Sequence, residues 1–384
     1  MHSTSVYINA SELRCSKIKD EFTQESLSQN QLINEDISKK QVDPQHVKFQ
    51  YKPIDHKKIT ESHFNKSNSR IFETLFEVFD SLLNKHKLNK RQLANTSLFL
   101  GSSSMDIGEI QSCSQSSIWL TPFDKITKTL SDKYGLNELS FTFNTACTSS
   151  ANAIIYATRL LKTKRIERAI ILGCEFYNQL TINGFSSLGL LSKSALLAFS
   201  NNRNGMILGE GVGVLVLSTK MEKQDDLEIL SGHSACDTFS LTAAKEDGSH
   251  IAGVIKKSIE MAGIKSQDID LIKVHGTASS SSDDAELNSL KNVFSKIPPI
   301  IAFKPFTGHT LGASAAIETA ITHQSIQNNE LPIPSYAKLS QQCLLPFAKK
   351  ETNINDYQFI LHNYCGFGGN NAAIVLKNTN YVSK

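Results

Sequence analysis

Short apolar runs that stop at a glycine alternate, from about residue 71 onward, with stretches whose apolar residues recur at helical spacing. Residues 97–100 form such a run and close on Gly101, residues 169–172 close on Gly173, and residues 269–274 stop at His275-Gly276. Ile71, Leu75, Val78, Phe79 and Leu82 share one helical face, as do Ala153, Ile154, Ala157, Leu160 and Leu161 within a helix predicted over 148–162. Further helices are predicted at 249–262 and 313–324, and strands at 6–9, 141–144, 211–217, 300–303, 358–362 and 372–376. This alternation indicates an α/β protein with mostly parallel sheets, because a crossover helix returns the chain to begin a parallel strand. The segments 92–101 and 267–276 each pass from a helix end through an apolar strand to a glycine, which suggests a duplication.

Glycine divides the chain: all 20 lie at or after Gly101, while residues 11–68 are rich in Lys, Gln, Ser, Asn and Asp. The polar stretch reads as loops and solvated helices, and the tight turns belong further on. The balance of 40 Lys+Arg against 37 Asp+Glu, with no basic tail, argues against nucleic-acid binding. Seven cysteines are scattered without a CxxC pair or a Cys/His ligand spacing, so no metal site or disulfide framework is indicated, and a reduced compartment fits. Residues 1–10 lack the charged and apolar regions of a secretion signal, and no apolar run approaches the ~18 residues of a membrane helix. The expectation is a cytoplasmic protein without a membrane span, metal or bound cofactor.

Cys147 stands where a buried strand turns into a helix, and the helix dipole and free backbone N–H groups there favour a thiolate and can receive an oxyanion. The plainer reading, a buried structural cysteine, is the default for the other six. His275 and His309 each lie in a glycine-flanked turn after a buried strand, where open α/β sheets place site residues. Lys304 directly follows the apolar run 300–303, and Glu318, nine residues after His309 on the next helix, can pair with it. One thiol, two imidazoles and an ammonium at strand ends form a catalytic candidate.

Taken in order, Thr145-Ala-Cys-Thr-Ser149, Leu208-Gly-Glu-Gly-Val-Gly-Val-Leu215, His275-Gly-Thr277 with Asp283 and Glu286, Lys304 with Gly308-His-Thr310, and Cys365-Gly-Phe-Gly-Gly-Asn370 resemble the β-ketoacyl-[acyl-carrier-protein] synthases. The resemblance runs from about Ser97 to Leu376. It implies a thiolase-like α/β fold of two duplicated halves, residues 1–225 with the cysteine and 226–384 with the histidines and lysine, forming a layered α-β-α-β-α core. It also implies decarboxylative condensation of malonyl-carrier protein with an acyl chain held on Cys147. His275 and His309 would then hold the enolate, the N–H groups of Cys147 and Phe367 an oxyanion, and Lys304 with Glu318 would support the histidines. Phe367 would gate the site in the turn that includes Gly368 and Gly369, and Thr277 and Ser279 would bind the pantetheine arm.

Partners implied by the same resemblance are an acyl carrier protein and either a second copy or a chain-length-factor-like homologue. The basic residues Arg159, Lys162, Lys164, Arg165 and Arg168 could dock an acidic carrier, although the simpler reading is that they complement a helix C-terminus. The chain departs from the family in its glycine-free opening, and in Ser200 and Asn204, which stand where the family usually has aspartates. Its Thr-Ser-Ser after Cys147 looks more like synthases of aryl-polyene or type II polyketide clusters. A non-catalytic partner subunit, a degradative thiolase using Cys365 as second cysteine or a KAS III-type synthase, both acting on coenzyme A thioesters, and a cysteine hydrolase are the rival readings. The first would be expected to lack the cysteine, and the others give no reason for two histidines and Lys304. The pocket floor is expected at residues 101–105 and Trp119.

Overall fold

The computed structural model describes residues 4–15, 51–52, 70–108, 123–338, 343–349 and 352–382; most of the polar stretch and Trp119 lie outside them. Its strands are β1 (Tyr7–Arg14), β2 (Tyr51–Lys52), β3 (Thr96–Gly101), β4 (Ser140–Phe143), β5 (Arg168–Glu175), β6 (Leu208–Gly209), β7 (Gly211–Ser218), β8 (Leu227–Cys236), β9 (Leu271–Lys273), β10 (Ile300–Ile301), β11 (Phe359–Cys365) and β12 (Asn370–Asn378). Its helices are α1 (Arg70–His86), α2 (Lys90–Ala94), α3 (Lys125–Tyr134), α4 (Ser149–Lys162), α5 (Gln179–Ser187), α6 (Ser249–Ala262), α7 (Ser280–Val293), α8 (Lys304–Thr307) and α9 (Ser314–Asn328).

Ten strands pair in the order β10-β9-β11-β12-β8-β1-β7-β5-β3-β4. From the middle outward the two halves repeat one plan. β3 pairs in parallel with β4 and β5, β5 is antiparallel to β7, and β7 to β1. Likewise β9 pairs in parallel with β10 and β11, β11 is antiparallel to β12, and β12 to β8. β3 and β9, the strands of the two similar segments, thus hold equivalent places. The sheet is mixed rather than mostly parallel: the Gly-rich turn after Cys365 makes β11 and β12 a hairpin, whereas helical crossovers precede the parallel strands. β1 also runs to Arg14, beyond the apolar residues that announce it, because its polar end pairs with β7 and Lys85 neutralises Glu12.

Strand side chains alternate between two faces, and here both are apolar. In β3 and β5, Leu98, Leu100, Ile170 and Leu172 pack outward under α1 and α3, while Phe99, Ala169 and Ile171 face the centre. In the other half Ile272, Leu361 and Val375 pack outward under α6 and α7, and Leu271, Ile360 and Ile374 face the centre. The centre itself is filled by Ala153, Ile154 and Ala157 of α4 and Ala316, Ile317 and Ala320 of α9. The result is five layers, with the two innermost helices between the strand sets. Gly101 permits this, since a Cβ there would sit 2.3 Å from the Ser150 nitrogen at the start of α4. Ser150 also accepts the N–H groups of Ala315 and Ala316, which ties the starts of α4 and α9 together.

Candidate active site

Cys147 lies two residues before α4, after Ala146 held at φ +50°. Ala278 (φ +64°) and Leu311 (φ +43°) follow the two histidines closely, so all three site turns hold a non-glycine residue in the left-handed region, at about 1–3 kcal/mol each. The thiol faces His309, whose Nε2 is 3.2 Å from Cys147 Sγ. The ring of His275 stands at 87° to that of His309, centroid to centroid 5.2 Å. All three line one pocket, shared with Thr277, Ser279, Cys365, Phe367 and Gly369. Residues 101–105 are not part of that lining: Ser103 and Ser104 instead bind the buried carboxylate of Glu175, which also accepts the Gly312 N–H.

Burial pushes the Cys147 thiol up to about 11, against the opposing effects of the Phe367 N–H, the charge of Lys304 and the cysteine's own N–H. The resting residue is therefore a thiol, not the thiolate that the strand-helix turn suggests: Cys147 lies outside the first helical residue, and desolvation outweighs the dipole. Alkylation of Cys147 by iodoacetamide, followed by mass spectrometry without substrate, is expected to accelerate continuously from pH 7 to 9.5. A plateau below pH 8 would contradict a thiol with so high a pKa.

Burial and then the charges of Lys304 and Lys273 hold His309 well below the usual imidazole range, so it is neutral. Its Nδ1 accepts the Leu311 N–H at 3.3 Å and lies 3.3 Å from the Ser314 hydroxyl. A ring nitrogen that accepts carries no proton, and these partners assign the proton to Nε2, the atom facing sulfur. Two glycines shape this turn. Gly308 has φ +68°, and a Cβ on Gly209 of β6 would lie 2.0 Å from the Thr307 carbonyl. That close approach lets the His309 N–H reach the Ile207 carbonyl (2.7 Å) and its carbonyl accept the Gly209 N–H (3.1 Å). His275 is likewise held well below the usual range by burial, Lys304, His309 and Lys273. Among the described residues its Nδ1 has no hydrogen-bond partner.

The supporting residues act on backbone. Lys304 Nζ donates to the His275 carbonyl (2.7 Å) and to Glu318 Oε1 (2.8 Å). Glu286 accepts the N–H groups of His275 and Gly276, and Asp283, pushed up to about 7 by burial, accepts those of Phe199, Thr277 and Ala278. Phe367 stacks on Phe185 at 5.2 Å, and its turn is pinned by Gly368 N–H to the Leu241 carbonyl and by the Asp237 N–H to the Gly369 carbonyl. Glu175 and Lys273 lie outside the sequence motifs that mark the site. Lys273 had a visible signal, a lysine inside an apolar strand; Glu175 closes the run after Gly173, but its partners are distant in the chain. Among the described residues no group of His, Cys, Asp and Glu could hold a metal ion, and no helix is long and apolar enough to cross a membrane.

A five-layered core with the thiol at the start of one central helix and the histidine turn leading into the other defines a thiolase-like fold. Residues 25–223 match the N-terminal domain of β-ketoacyl synthases and residues 228–335 the C-terminal domain, and the chain belongs to that family. Among curated proteins it is similar to a putative mitochondrial 3-oxoacyl-[acyl-carrier-protein] synthase of Schizosaccharomyces pombe, 31% identical over 65% of this chain and 63% of that one. It also resembles 3-oxoacyl-[acyl-carrier-protein] synthase 2 of Staphylococcus aureus, 28% identical over 61% and 62%. The matches thus span a little over three fifths of those relatives' lengths. Among solved structures the fold is shared with a ketosynthase in complex with its chain length factor from Xenorhabdus doucetiae (TM-score 0.76, 20% identity, 98% of each chain). It is shared too with a type II polyketide ketosynthase in complex with an acyl-carrier protein (TM-score 0.78, 18% identity, covering 98% of this chain and 100% of that one).

Proposed function

We propose that the protein is a β-ketoacyl-[acyl-carrier-protein] synthase that condenses an acyl chain carried on Cys147 with malonyl-carrier protein, in fatty-acid-like or polyene and polyketide elongation. The observation that carries this reading is the convergence of Cys147 Sγ, the Nε2–H of His309 and the ring of His275 on one pocket. The thiol attacks the acyl thioester, and the N–H groups of Phe367 and Cys147, already directed at the sulfur, stabilise the oxyanion. His309 Nε2 already bears a proton and cannot take another, so the thiol proton leaves with the departing pantetheine sulfur. Malonyl thioester then loses CO2, and the enolate oxygen meets imidazole N–H donors kept neutral by burial. The carbanion attacks the acyl-Cys147 carbonyl, and collapse releases the β-ketoacyl thioester and a cysteine thiolate that is reprotonated from solvent.

The pantetheine arm would run past Thr277 and Ser279. No resident cofactor is required, since the substrates bring their own thioesters. β4 is an edge strand whose Phe141 and Phe143 are half-buried beneath Tyr156, which suits a dimer formed with a second copy or a chain-length-factor-like homologue. Of the basic cluster, Lys162 bonds the Leu230 carbonyl and Arg168 pairs with Glu222, leaving Arg159, Lys164 and Arg165 exposed for a carrier protein. Intact-protein mass spectrometry after incubation with acyl carrier proteins is expected to show a single acyl adduct that Cys147→Ala loses. Absence of any adduct with every acyl donor would sink the enzymatic reading and favour a non-catalytic partner subunit.

A further inference from the structure

Behind the two histidines, two buried lysines share one carboxylate. Lys304 Nζ is 2.8 Å from Glu318 Oε1, and Lys273 Nζ is 2.5 Å from Glu318 Oε2; all three side chains are essentially inaccessible to water. Lys273 also donates to the Asn363 carbonyl of β11 (2.9 Å) and lies 3.5 Å from the centre of the Tyr364 ring. It ends β9 two residues before His275, and the alternation along β9 turns it to the same side as Leu271, which packs in the central layer.

We propose that Lys273 is a positioning residue of the site: by sharing Glu318 it fixes Lys304 against the His275 carbonyl, and by gripping Asn363 it clamps β9 to the strand that leads into the Phe367 turn. Its catalytic consequence rests on the condensing reading above. The cluster carries one positive charge more than its carboxylate neutralises, and the charges of both lysines act on His275 and His309, the groups proposed to hold the enolate. Removing it is expected to slow decarboxylation about tenfold.

The groups around Lys273 leave its charge finely held. Glu318 on α9 and Glu286 on α7 favour the ammonium, whereas burial and Lys304 on α8 oppose it and hold it at about 8. On β11, His362 is kept neutral by burial and by Lys273, and burial raises Tyr364 and Cys365 well above their usual ranges, so both stay neutral; His275 and His309 are neutral as well. An unfolded lysine titrates near 10.4. Between about pH 8 and 10 the unfolded chain binds a proton that the folded chain has released, so this residue's contribution to stability rises with pH.

Lys273→Met tests this. The variant leaves Lys304 and Glu318 as a one-to-one pair and places a thioether on the Tyr364 ring, so it is expected to fold. With malonyl-pantetheine as probe at pH 7, decarboxylation is expected to fall about tenfold, and by more than acylation of Cys147 does. The melting temperature of the wild type, relative to the variant, is expected to rise from pH 8 to 10. Decarboxylation within twofold of an active wild type would overturn the positioning role, and a melting difference independent of pH would overturn the shared-carboxylate cluster. A wild type inert toward malonyl-pantetheine would instead overturn the condensing reading, and the melting comparison would still decide the cluster.

Discussion

Replacing Glu318 by alanine is expected to destabilise the fold by about 3–5 kcal/mol at pH 7, because it strands two buried ammonium groups at once. Among the described residues neither lysine has an alternative anion within bonding distance; their other partners are the carbonyls of His275 and Asn363. The folded protein can escape only by releasing protons, which lowers both lysine pKa values below that of an unfolded lysine. The unfolded state then binds more protons, so the deficit is expected to shrink as pH rises from 7 toward 10. Denaturant melts at pH 7 and 9.5 measure both. The double variant Glu318→Ala with Lys273→Met, which strands only one charge, is expected to recover part of the loss. A single variant within 1 kcal/mol of the wild type at pH 7 would show that the carboxylate does not hold the pair.

The same cluster shows where sequence is legible and where it is not. The turns that hold Cys147, His275 and His309 are local patterns: a short strand followed within a few residues by a reactive side chain, with a glycine beside it at the two histidines. The start of α4 and the whole of α6 follow from helical periodicity for the same reason. Long-range consequences are not written locally. That β7 and β12 run antiparallel depends on the connections and partners they find, and the role of Glu175 depends on Ser103, Ser104 and Gly312, which come from two other turns. The charge state of Cys147 belongs to this group as well. A helix start argues for a thiolate, but burial is a property of the assembled layers and reverses the sign. Lys273 falls between the two: its oddity in an apolar strand is visible, but that it shares its anion with Lys304 is not.

The proposed division of labour between cysteine and histidines predicts two different kinds of failure. Cys147→Ala is expected to abolish acyl transfer and condensation, since it removes the thiol that the Phe367 N–H faces. It should still decarboxylate malonyl thioester, because His309 loses only a contact through Nε2 and keeps its bonds to Leu311 and Ser314 at Nδ1. His309→Ala is expected to do the reverse: it removes the N–H donor aimed at the reacting atoms, costing decarboxylation about 10²–10³-fold. It should leave a thiol that still accepts an acyl group, because in its assigned tautomer His309 is no base for Cys147. Rates of CO2 release and of acyl-adduct formation, measured separately on the two variants, decide the point. If His309→Ala abolishes acylation as completely as Cys147→Ala does, then Nε2 takes up the thiol proton, and the tautomer deduced from the Leu311 N–H is wrong for the working enzyme.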